Sequence, residues 1–155
     1  MAKHKKTTNE PTIENRKARH NYLIVDTLEC GIKLLGTEVK SVRDGQASLG
    51  EGFVRAAADP WTLTLHGVHI AEYPPAAGHN HDPVRARVLL AHGREIRKLL
   101  IRLREKGTTL VPLKLYFKGG RAKLLIGFAR GKSRSDKRQD LAKRDAQREI
   151  DRALS

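Results

Sequence analysis

"TTLVPLKLYFKGGRAKLLIGFAR", residues 108–130, reads as two β-strands joined by a tight turn. Val111, Leu113, Leu115 and Phe117 alternate through the first half, and Ala122, Leu124, Ile126 and Phe128 through the second. A period of two gathers such residues on one face of a strand. Gly119-Gly120 supplies the positive φ angles that a two-residue hairpin turn demands. A hairpin with one apolar face needs a further layer to cover it.

The sequence upstream supplies that layer. In "REIRKLLIRLREKG", residues 94–107, Ile96, Leu99, Leu100 and Leu103 recur at i, i+3, i+4 and i+7. This predicts an amphipathic helix ending before Gly107, with Arg94, Arg97, Lys98, Arg102 and Arg104 mostly on its other faces. "GFVRAAADPWTLTLHGVHI", residues 52–70, predicts a hairpin turning at Asp59-Pro60 and a further strand through Ile70. "GTEVKSVRDG", residues 36–45, predicts a short helix capped by Thr37, with Glu38 at its positive end, Val39 and Val42 on a buried edge, and Gly45 at its close. From Tyr22 the chain is rich in β-branched and aromatic residues, broken at Cys30-Gly31, which predicts two strands or one bulged strand. Residues 74–87 form a proline-broken loop. The fold class is therefore mainly β with helices, an α+β arrangement built on a small antiparallel barrel or sandwich.

Both ends differ from this middle. Residues 1–13 are polar, basic and without periodicity, and predict a disordered arm before a domain over 14–130. In the tail, 131–155, the large apolar residues are Leu141, Ile150 and Leu154. Ala142, Ala146, Ile150 and Ala153 fall at helical spacing, and Asp140–Arg144 and Asp145–Arg148 form acid-to-base pairs, each adding roughly 0.2–0.5 kcal/mol to a helix. So thin a stripe predicts a flexible tail that becomes helical on a partner.

Charge points to that partner. The chain of 155 residues has 31 Lys+Arg against 17 Asp+Glu, a net charge of +14. Residues 85–134 alone carry fifteen basic and two acidic side chains. Solubility needs a net charge of only ~2–8 in a small domain, so the surplus implies a polyanion, nucleic acid before membrane. With seven aromatics, most of them at core-facing positions, backbone and shape recognition of folded RNA or a duplex fits better than base stacking. Cys30 is the one cysteine, so no internal disulfide can form, and a reducing cytoplasmic compartment fits. No apolar run approaches the ~18 residues of a membrane span, and the start lacks a secretory apolar segment.

Three catalytic or ligand patterns fail on spacing. Gly131-Lys132-Ser133 after a strand resembles a nucleotide phosphate loop, but that loop needs four residues between its first glycine and the Gly-Lys pair. Here three residues separate Gly127 from Gly131, and Ile126 stands where glycine should be. His79 and His81 have no third ligand nearby for a metal, so they read as loop or RNA-facing histidines. Glu38 has no companion carboxylates for metal-assisted nuclease chemistry and reads as a first-turn helix acid. No metal, cofactor or enzymatic activity is expected.

Taken in order, "NRKARHNYLI" (15–24), "GTEVKSVRDG" (36–45), "NHDP" (80–83), "LVPLKLYFKGG" (110–120), "FARGK" (128–132), "SDKR" (135–138) and "KRDAQREIDRAL" (143–154) resemble the SmpB family of SsrA-binding proteins of bacterial trans-translation. The likeness runs from about residue 14 to 154; Ser133 and Ser135 depart from the common pattern. It implies an OB-fold-like antiparallel barrel with packed helices and no enzymatic activity. It implies a monomer that binds the tRNA-like domain of tmRNA, stands in for the missing anticodon arm, and reaches stalled ribosomes with elongation factor Tu. Carried over by position, the RNA-binding set is Asn15, Arg16, Lys17, Arg19, His20, Glu38, Lys40, Arg43, Leu90, His92, Arg130 and Lys132. Glu38 would accept hydrogen bonds from RNA donors. Arg134, Asp136, Lys137, Arg138, Lys143, Arg144 and Arg148 would belong to a tail that enters the small-subunit decoding centre and the empty mRNA channel. The alternative reading is an architectural protein that binds nucleic acid through charge alone.

Overall fold

The structure, a computed structural model, describes residues 10–132 and 134–154. Along them run β1 (Ile13–Glu14), α1 (Arg16–Asn21), β2 (Tyr22–Ile32), α2 (Gly36–Arg43), β3 (Ala47–Ser48), β4 (Phe53–Ala57) and β5 (Thr62–His66). Then come β6 (His69–Ile70), a short 3-10 segment at Pro74–His79, β7 (Arg87–Leu90), α3 (Gly93–Arg102), β8 (Thr108–Lys118), β9 (Arg121–Gly131) and α4 (Arg134–Leu154). The arm expected over 1–13 lies outside the described residues through position 9. Its last residue is a strand residue, because Ile13 pairs with Leu115.

The hairpin read first from sequence is the spine of the molecule. β8 and β9 pair antiparallel from Thr108↔Arg130 to Lys118↔Arg121 around Gly119 and Gly120, whose φ angles are +59° and +76°. From β9 the ladder passes to β2, β7, β5 and β4, and returns to β8 through Val54↔Leu110. Every pairing is antiparallel, so the ring is the expected barrel and its six strands leave few free edges. Leu63, Leu65, Leu110, Leu115, Leu124, Ile126 and Phe128 fill the interior. A closed ring can be entered only at its ends. The buried Ile96 and Leu99 join that same core, so α3 closes one end.

The alternation in β8 is real, but one residue splits it between two faces. The register moves from Pro112↔Ile126 to Lys114↔Leu125, which leaves Leu113 bulged. Beyond the bulge, Leu115 and Phe117 point into the barrel as the spacing predicts. Val111 before it, and Leu113 at the bulge itself, point outward, into a second cluster with Ala18, Ala129, Tyr22 and Ile24. An extra residue reverses the parity of every side chain on one side of it. The sequence hides this because the outer face here is also covered, by α1.

Helix α1 was not foreseen, and Asn15 accounts for it. Its Oδ1 accepts from the Ala18 N–H at 3.0 Å and caps the helix. Its Nδ2 donates to the carbonyls of Pro112 at 2.8 Å and Leu49 at 3.1 Å. Two more details differ from expectation. β2 is a single strand whose irregularity lies between Ile24 and Asp26, not at Cys30-Gly31. α2 begins at Gly36, and Glu38, not Thr37, reaches back to its start by accepting from the Leu35 N–H at 2.8 Å.

Gly127, the glycine of the failed phosphate loop, is explained by packing. A Cβ there would lie 2.9 Å from Cδ1 of the bulged Leu113 and 3.3 Å from Ile24 Cγ2. Gly127→Ala is expected to destabilise the fold by about 1–3 kcal/mol, read as a lower urea midpoint with unchanged slope. A midpoint equal to wild type would mean the outer cluster is not tightly packed.

Candidate nucleic-acid interface

The most buried charges are not part of any outward surface. Glu38 on α2 has no solvent exposure. Its Oε2 accepts from Arg87 Nε at 2.6 Å and its Oε1 from Arg85 Nη2 at 2.5 Å. Arg87, also fully buried, donates onward to the Val68 carbonyl at 2.7 Å and the Pro83 carbonyl at 3.1 Å. Burial alone would push the Glu38 carboxyl up. The hydrogen bonds from Arg85, the Leu35 N–H and Arg87 outweigh that and hold it below the ordinary value of 4.5. Glu38 therefore does not present its carboxylate to RNA: both oxygens are engaged within the fold. His81 has a matching role and is not RNA-facing. Its Nε2 donates to the Ile70 carbonyl at 2.9 Å, which leaves Nδ1 to accept from the Thr37 hydroxyl at 2.8 Å. Together these bonds tie residues 81–87 to α2.

Two other members of the expected set are also taken into the fold. Asn15 is buried with both side-chain atoms engaged as described. The side chain of Lys132 is 8% exposed. Its Nζ donates to the Arg19 carbonyl at 3.0 Å, at the end of α1, and pairs with Asp140 on α4. The pair with Lys132 holds the Asp140 carboxyl below its ordinary value, and it replaces the expected Asp140–Arg144 pairing.

What remains outward falls into separate groups. Arg16, Lys17 and Arg19 are exposed on α1, with His20 half-buried; Lys17 pairs with Glu51. Arg130, paired with Glu105 at 2.6 Å, sits opposite Leu23, just after α1. Lys40 and Arg43 project from α2, over the rings of Tyr73 and Phe117 at 5.2 and 5.3 Å. Phe117 is near the β8–β9 turn, whereas α1 packs at Val111 and Leu113, so the two groups do not converge. Leu90 is half-exposed and belongs with α2: it lines a cleft of about 320 Å³ with Val39, Arg121 and Lys123. His92 is exposed at the start of α3, two residues beyond Leu90.

Sequence reasoning missed Arg121 and Lys123. The register Gly31↔Leu90 and Gly31↔Lys123 places them beside Leu90, and only a correct pairing of β2 with both β7 and β9 could have found them. Such a cleft, lined by apolar side chains and two cations, suits a sugar-phosphate backbone better than a compact anion.

The tail is a single helix of 21 residues. Its side chains from Arg138 onward are almost all exposed, including Lys143, Arg144 and Arg148, while Lys137 is partly covered. The side chains of Arg134 and Asp136 lie outside the described residues. Asp145–Arg148 at 4.0 Å and Gln147–Asp151 at 2.9 Å brace the helix along its length.

A family model described as "SmpB protein" matches residues 12–155. The chain belongs to the SmpB family. An SsrA-binding protein of Mycobacterium sp. (strain KMS) is 53% identical over 150 residues, covering 97% of this chain and 88% of the relative. That of Chloroflexus aurantiacus is 55% identical over 142 residues, covering 91% and 88%. A solved structure described as "tmRNA-SmpB: a journey to the center of the bacterial ribosome" is 47% identical and superposes with a TM-score of 0.67, covering 84% of this chain and 94% of that one. The resemblance read from the motifs and the α+β barrel expected from the strand pattern both hold.

Glu38→Gln is expected to cost about 3–5 kcal/mol of stability, because the change leaves Arg87 buried beside a neutral group. The pH dependence carries the same signature. A carboxyl whose folded value is lowered contributes fully above its unfolded value of 4.5, and the contribution is lost as pH falls through the folded value. Urea midpoints across the acid range should therefore fall less steeply below pH 4.5 in the variant than in wild type. Parallel curves would contradict an ionised Glu38.

Proposed function

We propose that this protein binds the tRNA-like domain of tmRNA, occupies the place of its missing anticodon arm, and positions it on stalled ribosomes during trans-translation. The observation that carries this reading is family membership over residues 12–155, with a tmRNA-bound relative of the same fold. The geometry supports it. A rigid barrel offers cationic groups on α1, on α2 and around Leu90, and these can grip phosphates and 2′-hydroxyls of a folded RNA. Arg16, Lys17, Arg19, His20, Lys40, Arg43, Leu90, His92 and Arg130 are the direct RNA contacts in this proposal. Asn15, Glu38 and Lys132 act on RNA affinity only by holding those groups in place. The chain works as a binding protein in the cytoplasm, without catalysis, and elongation factor Tu accompanies the complex.

The tail acts on the second partner. α4 spans about 30 Å at 1.5 Å per residue and carries cations on most sides, so it can run along ribosomal RNA in a vacant mRNA channel. A channel filled by mRNA excludes it, which makes vacancy the signal for rescue.

Removal of residues 133–155 keeps Lys132 on α1 and takes away α4. The shortened protein is expected to bind the tRNA-like domain as tightly as the full chain, yet to support no peptide tagging on stalled ribosomes. Tagging at the full-length rate would sink the tail mechanism. Replacing Arg16 and Arg19 with glutamine should lower the salt slope of tRNA-like-domain binding by about 2. An unchanged slope would remove α1 from the interface.

A further inference from the structure

The end of the barrel that α3 closes is not filled completely. Backbone groups of a strand point alternately to its two edges. Lys33, just past β2, donates its N–H to the Val88 carbonyl of β7 at 3.0 Å, and Gly31 stands opposite Leu90. Glu29 and Thr27, two and four residues before Gly31, therefore face that same edge of β2. β7 ends at Leu90, so no strand lies opposite them there. The Thr27 N–H is taken by the Asp26 carboxylate at 2.8 Å. The Glu29 N–H and the carbonyls of Thr27 and Glu29 have no strand to pair with on that side.

Between this edge and α3 lies a cavity of about 340 Å³. Leu28, Ile126 and Phe128 line it from the barrel, and Leu99 and Ile101 from α3. Arg102 bridges the two sides: it lies 4.2 Å from the Phe128 ring and pairs with Asp26 at 2.9 Å. Ile101 is half-exposed, so an apolar group seated here would take it out of water. Lys98 also lines the cavity, and Arg94 stands one turn before it on the helix. Both are exposed, and neither has an ionic partner among the described residues.

Apolar walls beside an unpaired strand edge are what a peptide uses when it adds to a sheet. A nucleic-acid backbone fits this lining poorly. Its phosphates only accept hydrogen bonds, and the Thr27 and Glu29 carbonyls and the Asp26 and Glu95 carboxylates are acceptors as well. A second copy of the chain, itself at +14, is repelled. A peptide brings the missing N–H donors, and acidic residues on it complement Lys98 and Arg94.

We propose that the groove between β2 and α3 binds an extended, acidic peptide segment of a partner protein. The segment adds as a strand beside Thr27 and Glu29, where β7 stops. One of its apolar side chains enters the cavity between Leu28, Leu99 and Phe128, and its carboxylates meet Lys98 and Arg94. The surface goes beyond the RNA-binding function and does not depend on it.

The test pans a displayed library of random heptapeptides against the full-length protein at physiological salt, then measures the enriched peptides, made with a fluorophore, by polarisation. The enriched sequences are expected to share an aliphatic or aromatic residue flanked by acids. K98E/I101E should weaken their binding about tenfold or more, and K98E alone should act in the same direction. N-methylation of the peptide backbone should abolish binding at two positions, two residues apart, whose N–H groups donate to Thr27 and Glu29. Amide exchange of Glu29 should slow in the complex. A library without enrichment, peptides that bind K98E/I101E as tightly as wild type, or an unchanged Glu29 exchange rate would overturn the proposal. Duplex RNA that displaces the peptide and itself slows Glu29 exchange would assign the groove to nucleic acid. A dimer of the protein that slows it without peptide would assign the groove to a second copy. Either result would also overturn the proposal.

Discussion

Glu38 brings a negative charge wholly out of water, and two arginines from a distant part of the chain meet it there. Neither side of that contact is stable alone. An isolated buried carboxylate would take up a proton, and a buried Arg87 cannot lose one. The pair is thus an obligatory match between α2 and the strand that leads to α3. Arg87 adds the carbonyls of Val68 and Pro83, so a single guanidinium fixes β7, the loop before it and the turn after β5. The position of Leu90, three residues on, follows from it, as does the placement of Lys40 and Arg43 on the helix that Glu38 starts.

Much of the fold was legible because it rests on periodicity. The β8–β9 hairpin, the β4–β5 hairpin and α3 announce themselves through spacing and turn glycines. Gly45 closes α2 at a φ of +73° as its position suggests. The bulge at Leu113 was not legible, since an unbroken alternation looks the same whether or not the sheet is covered on both faces. α1 is too short for a stripe, and Asn15 signals it only once its caps are known.

The candidate site was legible in chemistry but not in allocation. A list of polar residues cannot tell which are engaged inside the fold. Asn15, Glu38 and Lys132 match the family pattern, yet they serve as cap, buried partner and tether. Arg121 and Lys123 sit on a strand remote in sequence from Leu90, and the sheet brings them to it. Lys132 also shows how the ends of the molecule are joined. It closes α1 and holds the root of α4, so the first helix and the helix that leaves the barrel share one side chain. Cys30, by contrast, offers no chemistry: burial pushes its thiol up to about 12.

The central claim is that this barrel recognises a particular folded RNA and not negative charge in general. Phosphate contacts alone are blind to sequence and shape, so they give equal affinities for any duplex of equal length at one salt concentration. The deciding measurement is a competition at physiological salt, in which the tRNA-like domain of tmRNA, bound to the protein, is challenged by random-sequence duplex RNA of the same size. The account predicts that the tRNA-like domain stays bound against a large excess of competitor. Displacement at equal concentrations would contradict it and leave a protein that binds RNA through charge alone.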